Sequence, residues 1–76
     1  MVKKFDKFSF LVAFGAHLKK IRLDKGMSQA QLAIDCDFDV SVISRIERGL
    51  VNTSVDNLRL LAEALGVEVQ QLFDFM

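Results

Sequence analysis

An all-α bundle of five short helices, packed at steep angles to one another, is the fold that this sequence predicts. Three observations carry it. Apolar residues recur at three- and four-residue spacing from Leu11 to Phe73, and no segment sustains the two-residue alternation of a half-buried strand. Serine, aspartate and glycine stand at the ends of the apolar runs, where helices start and stop. The chain has 76 residues, 51% of them hydrophobic, which is enough for one packed core and too little for two. Residues 1–76 are therefore expected to form a single domain.

In the first helix, Leu11, Phe14, Leu18 and Ile21 make one stripe, and Lys25 and Gly26 close it, with glycine free to adopt a left-handed C-terminal conformation. Residues 1–10 form an arm or an extension of that helix. Ser28 caps the second helix, Gln31 occupies the position that completes a capping box, and Leu32, Ala33 and Cys36 face inward. Asp39 is expected to cap the third helix, whose apolar positions are Val40, Ile43 and Ile46 and which ends at Gly49. Ser54 caps the fourth, with Asp56 at its positive end and Leu58, Leu61, Ala62 and Leu65 buried, and Gly66 stops it. A short fifth helix begins near Glu68 and carries Val69, Leu72 and Phe73.

Composition narrows the function. No run approaches the roughly 20 apolar residues of a membrane span. The basic start followed by Phe8 to Ala16 imitates a secretory signal, but no small-residue cleavage site follows and the apolar positions continue into a helix, so a cytoplasmic location is expected. His17 is the only histidine and Cys36 the only cysteine, and neither has partners at metal-ligand spacing; no metal or other cofactor is expected. Cys36 reads as a small buried hydrophobe whose thiol pKa is raised by Asp35 and Asp37. There is no nucleophile–base pair and no phosphate-cradling glycine loop, so an enzyme is not expected. The net charge is zero, yet Lys3, Lys4, Lys7, Lys19, Lys20, Arg22 and Lys25 crowd the first third, while Asp56, Glu63, Glu68 and Asp74 outnumber Arg59 in the last. One end of the molecule is suited to phosphates and the other is not.

The second and third helices are separated by only a few residues around Asp37 and Phe38, the connection of a helix-turn-helix spanning residues 28–49. With Ile43 at the centre of the inner face, Val40, Ile46 and Glu47 fall within about 60° of it at 100° per residue. Ser41, Ser44, Arg45 and Arg48 lie opposite. Short hydroxyls and two guanidinium groups suit base edges and phosphates in a major groove. An ordinary solvated helix face has the same composition, so spacing alone does not decide between them.

A longer pattern does. The run Ile21-Arg22-Leu23-Asp24-Lys25-Gly26-Met27-Ser28-Gln29-Ala30-Gln31-Leu32-Ala33, followed by Val42-Ile43-Ser44-Arg45-Ile46-Glu47-Arg48-Gly49, resembles the Cro and phage-repressor family of XRE-type regulators. The resemblance continues through Asn52 to Leu58, Leu61 to Val67, and Leu72-Phe73. It implies a lambda-repressor-like fold and a sequence-specific regulator, repressor-like, that binds double-stranded DNA at a two-fold operator as a homodimer. It further implies that Val40, Ser41 and Arg45 read bases and that Ser44 and Arg48 touch flanking phosphates. The resemblance likewise implies that Gln29 contacts the DNA backbone and braces recognition-helix side chains, and that Arg22 and Glu47 form a structural ion pair. Glu47 also lies on the inward side, where a carboxylate needs a cationic partner. In this chain Asp37 stands where the family usually has glycine, a position that needs a left-handed backbone; aspartate tolerates it at some cost. Asp35, Asp37 and Asp39 cluster near the expected DNA side.

Phe14, Phe38 and one or both of Phe73 and Phe75 are expected in the core, with Met27 between helices. Leu72, Phe73 and Phe75 form the expected dimer interface. Phe5, Phe8 and Phe10 precede the family pattern and either pack over the C-terminal helix or meet a second subunit. Regulation is expected to come through dimer concentration or a protein partner. A phage repressor, a restriction–modification controller and an antitoxin all fit this size. A protein-interaction module on the same fold, of antitoxin type, is the alternative reading, supported by the neutral charge and the clustered aspartates.

Overall fold

A computed structural model describes residues 5–76; residues 1–4, with Lys3 and Lys4 of the basic arm, lie outside the described residues. The Asp6 carboxylate accepts the Ser9 N–H at 2.8 Å, which opens α1 (Lys7–Asp24) and holds that carboxyl below its ordinary pKa. Residues 7–10 are thus a helix extension. Ser28 Oγ accepts the Gln31 N–H at 3.0 Å at the start of α2 (Gln29–Cys36), and Ser54 Oγ accepts the Asn57 N–H at 3.1 Å at the start of α4 (Val55–Leu65). Between them runs α3 (Val40–Glu47). Gly26 and Gly66 turn the chain with φ near 70° at the ends of α1 and α4.

Three local expectations are corrected. Gln31 does not complete a capping box: its amide donates to Asp35 Oδ1 at 3.0 Å, a charge-assisted bond on the exposed side of the same helix. Asp39 has the extended backbone of an N-cap, but its exposed side chain makes no capping hydrogen bond; its carbonyl takes the Val42 N–H at 3.0 Å instead. The fifth element is a 3-10 helix (Val69–Phe73), so the described residues form four α-helices and one 3-10 turn, with no strand. Its backbone bonds close at i→i−3, from the Gln71 N–H to the Glu68 carbonyl and from the Asp74 N–H to the Gln71 carbonyl, and a reciprocal Glu68–Gln71 capping box holds its start.

One core joins all five elements. Leu18, Leu32, Ile43, Ile46, Leu61 and Leu72 are completely or almost completely enclosed, and each element supplies at least one of them. Burying one such side chain contributes about 1.5–3 kcal/mol. α2 packs on α3 and α4, while α1 packs on α3 and the 3-10 helix. Phe14 is buried; Met27, Phe38, Phe73 and Phe75 are half-buried against the core. Of the early aromatics, Phe10 lies 5.6 Å from Phe75 and stacks on Phe73 at 6.5 Å, and Phe5 meets Phe10 and Phe75 edge-on. Phe8 points away and is 75% exposed. Val40, expected among the apolar positions of the third helix, is 49% exposed because the first turn of α3 projects past the edge of the core; Val42 packs there instead.

Cys36 is buried, with Sγ 3.7 Å from the Leu60 carbonyl oxygen. Burial first, and the Asp35 carboxylate second, push its thiol pKa up; Asp37 takes no part. Since the thiolate is the reactive form, Ellman's reagent is expected to label Cys36 slowly in the folded protein and promptly in denaturant. Equal rates in both conditions would contradict this packing.

Candidate nucleic-acid interface

α2 and α3 meet through Asp37, Phe38 and Asp39. Asp37 adopts the left-handed conformation (φ 59°, ψ 41°), and Phe38 returns its N–H to the Ala33 carbonyl at 2.8 Å. The short connection therefore bends sharply enough to set α3 across α2, at a backbone cost of about 1–2 kcal/mol for a non-glycine residue.

Ile43, Ile46 and Glu47 turn into the protein, and the opposite side of α3 presents Ser41, Arg45 and Arg48 to solvent, with Ser44 half-buried beside them. Arg45 has no side-chain partner among the described residues. Arg48 differs: its Nε donates to the Ser44 carbonyl of the same helix at 3.3 Å, which draws it back along α3. The two guanidinium groups thus occupy one polar face at different heights.

The inner end of α3 is tied down by a polar network that spans three helices. Arg22 of α1 donates from Nε to Glu47 Oε2 at 2.6 Å, from Nη2 to Oε1 at 3.0 Å, and from Nη1 to the Met27 carbonyl at 2.7 Å. Both side chains are buried. The hydrogen bonds to Glu47 raise the guanidinium pKa, outweighing the opposing effect of burial. Gln29, at the start of α2, donates from Nε2 to Glu47 Oε1 at 3.0 Å. Its amide is thereby oriented, leaving a second N–H and the side-chain carbonyl for an external ligand. No buried side-chain nitrogen or oxygen among the described residues lacks a partner.

Charge on the rest of the surface is unevenly available. Lys20 pairs with Asp24, and Arg59 is held by Asp56 at 2.8 Å and Glu63 at 3.1 Å, contacts that raise its pKa. Lys7, Lys19, Lys25 and Arg45 have no such partner among the described residues. Asp37 and Asp39 are exposed beside the turn, whereas Asp35 is engaged by Gln31. Among the described residues no group of His, Cys, Asp and Glu is arranged to hold a metal ion, and no helix is long and apolar enough to cross a membrane.

Arg22, Gln29 and Glu47 are brought into one network; Ser41, Ser44, Arg45 and Arg48 share one face, and Val40 is exposed at the first turn of α3 without lying on it. Leu72 is separated from its expected companions: it is completely enclosed in the core and offers nothing to a second subunit, whereas Phe73 and Phe75 stay half-exposed. Sequence reasoning missed Gly15, which is buried where α1 crosses the end of α3. The available signal was an isolated glycine inside a helical pattern, a costly residue there unless packing requires it.

A family model described as helix-turn-helix matches residues 18–72. The chain is 48% identical over 63 residues to control protein C.BamHI of Bacillus amyloliquefaciens, across 82% of this chain and 78% of that protein. It is 34% identical over 58 residues to the immunity repressor protein of Bacillus phage phi105, across 76% of this chain and 40% of that one. Its fold superposes on the crystal structure of the restriction-modification controller protein C.AhdI from Aeromonas hydrophila with a TM-score of 0.85 and 41% identity, over 87% of this chain and 100% of the other.

Proposed function

The chain belongs to the helix-turn-helix family and is a DNA-binding transcription regulator; from that premise we propose that it reads a two-fold operator as a homodimer, with α3 as its recognition helix. The observation that carries the reading is the division of α3 into two faces. The inner face is locked by the Arg22–Glu47–Gln29 network, while the outer one holds Ser41 and an unpartnered Arg45. Arg45, with Val40 and Ser41, reads base edges; Ser44, Arg48 and the oriented Gln29 amide fix the helix on the phosphate backbone. An eight-residue helix makes too few base contacts for genomic specificity, and two copies double them across two half-sites. The protein acts in the cytoplasm, with no catalytic step and no cofactor.

Among the three settings that fit the size, a restriction–modification controller is favoured. The likeness to C.BamHI and C.AhdI exceeds that to the phage immunity repressor. Selection of bound duplexes from a random pool, followed by a gel shift at low salt, tests the function. Two related half-sites and salt-sensitive binding to random DNA are expected. Absence of both would leave the protein-interaction module, for which the exposed Asp37 and Asp39 are the surface feature.

Self-association is assigned to the C-terminal aromatics. Phe73 and Phe75 are half-exposed, and Met76 beside them is more exposed still. Phe75→Glu is expected to shift the protein from dimer to monomer in sedimentation at micromolar concentration, with helix content by circular dichroism retained. An unchanged sedimentation coefficient moves the interface elsewhere, with Phe8 the next candidate.

A further inference from the structure

Glycine is among the poorest residues for a helix interior, yet Gly15 lies in the middle of α1 and is buried. A Cβ built on it would collide with the carbonyl oxygens of Ile46 and Glu47, the latter at 2.6 Å, and with the Glu47 carbonyl carbon at 2.8 Å. One turn earlier on α1, Val12 meets Gly49: a Cβ there would lie 2.7 Å from Val12 Cα and 2.8 Å from its N and Cγ2. Most of these obstacles are backbone atoms, so no change of rotamer relieves them. Gly26 and Gly66 have the same left-handed backbone as Gly49, but a Cβ on either would meet open space. Only at Gly15 and Gly49 does a missing side chain set the distance between two segments, one contact falling at the last turn of α3 and the other two residues past its end.

Building on the recognition-helix reading above, we propose that Gly15 and Gly49 are positioning residues for operator recognition. Together they set the depth and tilt at which α3 leaves the body of the protein, and hence where Ser41 and Arg45 arrive in the groove. The eight residues of α3 make a rod of about 12 Å anchored at its inner end. Restoring ordinary contact around a methyl group at Gly15 separates the two backbones by roughly 1 Å, against the roughly 0.5 Å within which a binding constellation must be held. Attraction to phosphates is longer-ranged and insensitive to such a shift. Specific affinity should therefore fall while nonspecific affinity holds.

The test titrates wild type, Gly15→Ala, Gly49→Ala and Gly66→Ala against the selected operator and a scrambled duplex. The temperature is chosen so that circular dichroism finds each protein folded, and sedimentation checks self-association. Gly66→Ala is the control, because it carries backbone strain at φ 70° without a collision. Gly15→Ala and Gly49→Ala are expected to lower the operator-to-scrambled affinity ratio by about tenfold or more, the scale of losing one base contact. Scrambled-duplex affinity should stay within about twofold, since phosphate contacts are kept, and Gly66→Ala should leave the ratio unchanged. Parallel losses on both duplexes, or an unchanged ratio in folded Gly15→Ala, overturn the proposal. Should Gly15→Ala not fold, Gly49→Ala measured against Gly66→Ala decides. A wild-type protein that fails to prefer any selected duplex refutes the recognition-helix reading itself, a result separate from any effect of the glycines.

Discussion

Replacing either Arg22 or Glu47 with methionine is expected to cost about 3–5 kcal/mol of folding stability, because the surviving charge is left buried without its partner. Arg22 and Glu47 are the buried charged side chains among the described residues. Arg22 spends Nε and Nη2 on one carboxylate and Nη1 on the Met27 carbonyl, and Glu47 also receives the Gln29 amide. Removing Glu47 strands a guanidinium in the space between α1 and α3. Removing Arg22 strands a carboxylate at the inner end of α3 and frees the Met27 carbonyl. A domain of this length loses about 4–8 °C of melting temperature per kcal/mol, so each single change should lower Tm by more than about 12 °C. The double change, Arg22→Met with Glu47→Met, removes both charges and should cost far less than the sum of the singles. Thermal melts at one fixed protein concentration, which holds any dimer linkage constant, measure the cycle. Additive losses would mean that the pair is not coupled.

Arg45→Ala is expected to weaken operator binding by about 1–3 kcal/mol per half-site and to relax preference at one base pair in each. In a homodimer the two sites contribute together, for a total of about 2–6 kcal/mol if they add. Arg45 is unpartnered and exposed on the outer side of α3. Its guanidinium can engage both major-groove acceptors of a guanine. Arg48 sits one turn later and already leans on the Ser44 carbonyl, so it is expected to meet the phosphate backbone and not the base edges. Arg48→Ala should weaken all duplexes alike and reduce the slope of log affinity against log salt by about one unit per half-site. Titrations of both variants on the operator and on a site mismatched at one position, at several salt concentrations, separate the two roles. Equal losses on both duplexes for Arg45→Ala would falsify its assignment as a base reader.

The site was legible in the sequence to the extent that its parts obey helical geometry. Arg45 and Arg48 fall on the same side because residues three apart on a helix are neighbours. The Arg22–Glu47 contact was reached differently: an inward glutamate demands a cation, and the family pattern supplied which one. Gly15 stayed hidden because its meaning depends on another segment. A glycine in a helix reads as a weak point until the carbonyl oxygens of Ile46 and Glu47 are seen where its side chain would be.

The sequence by itself determined where the chain turns and which stripes are buried. Ser28, Ser54 and Asp6 cap helices through bonds that reach only three residues ahead, and Gly26 and Gly66 end them by a property of their own backbone. Leu18, Leu32, Ile43 and Leu61 are enclosed because periodicity leaves them no other side to face. Tertiary structure alone decided how the two ends of the chain meet. Leu72, Phe73 and Phe75 are equally apolar in sequence, yet Leu72 is swallowed by the core while the two phenylalanines remain at the surface beside Phe10. Helical phase puts Phe8 and Phe10 on opposite sides of one helix extension, and the position of the 3-10 helix decides which of the two is covered. Capping and helical phase act within a turn of chain, whereas burial depends on which distant surface arrives alongside, and that is settled when the elements pack.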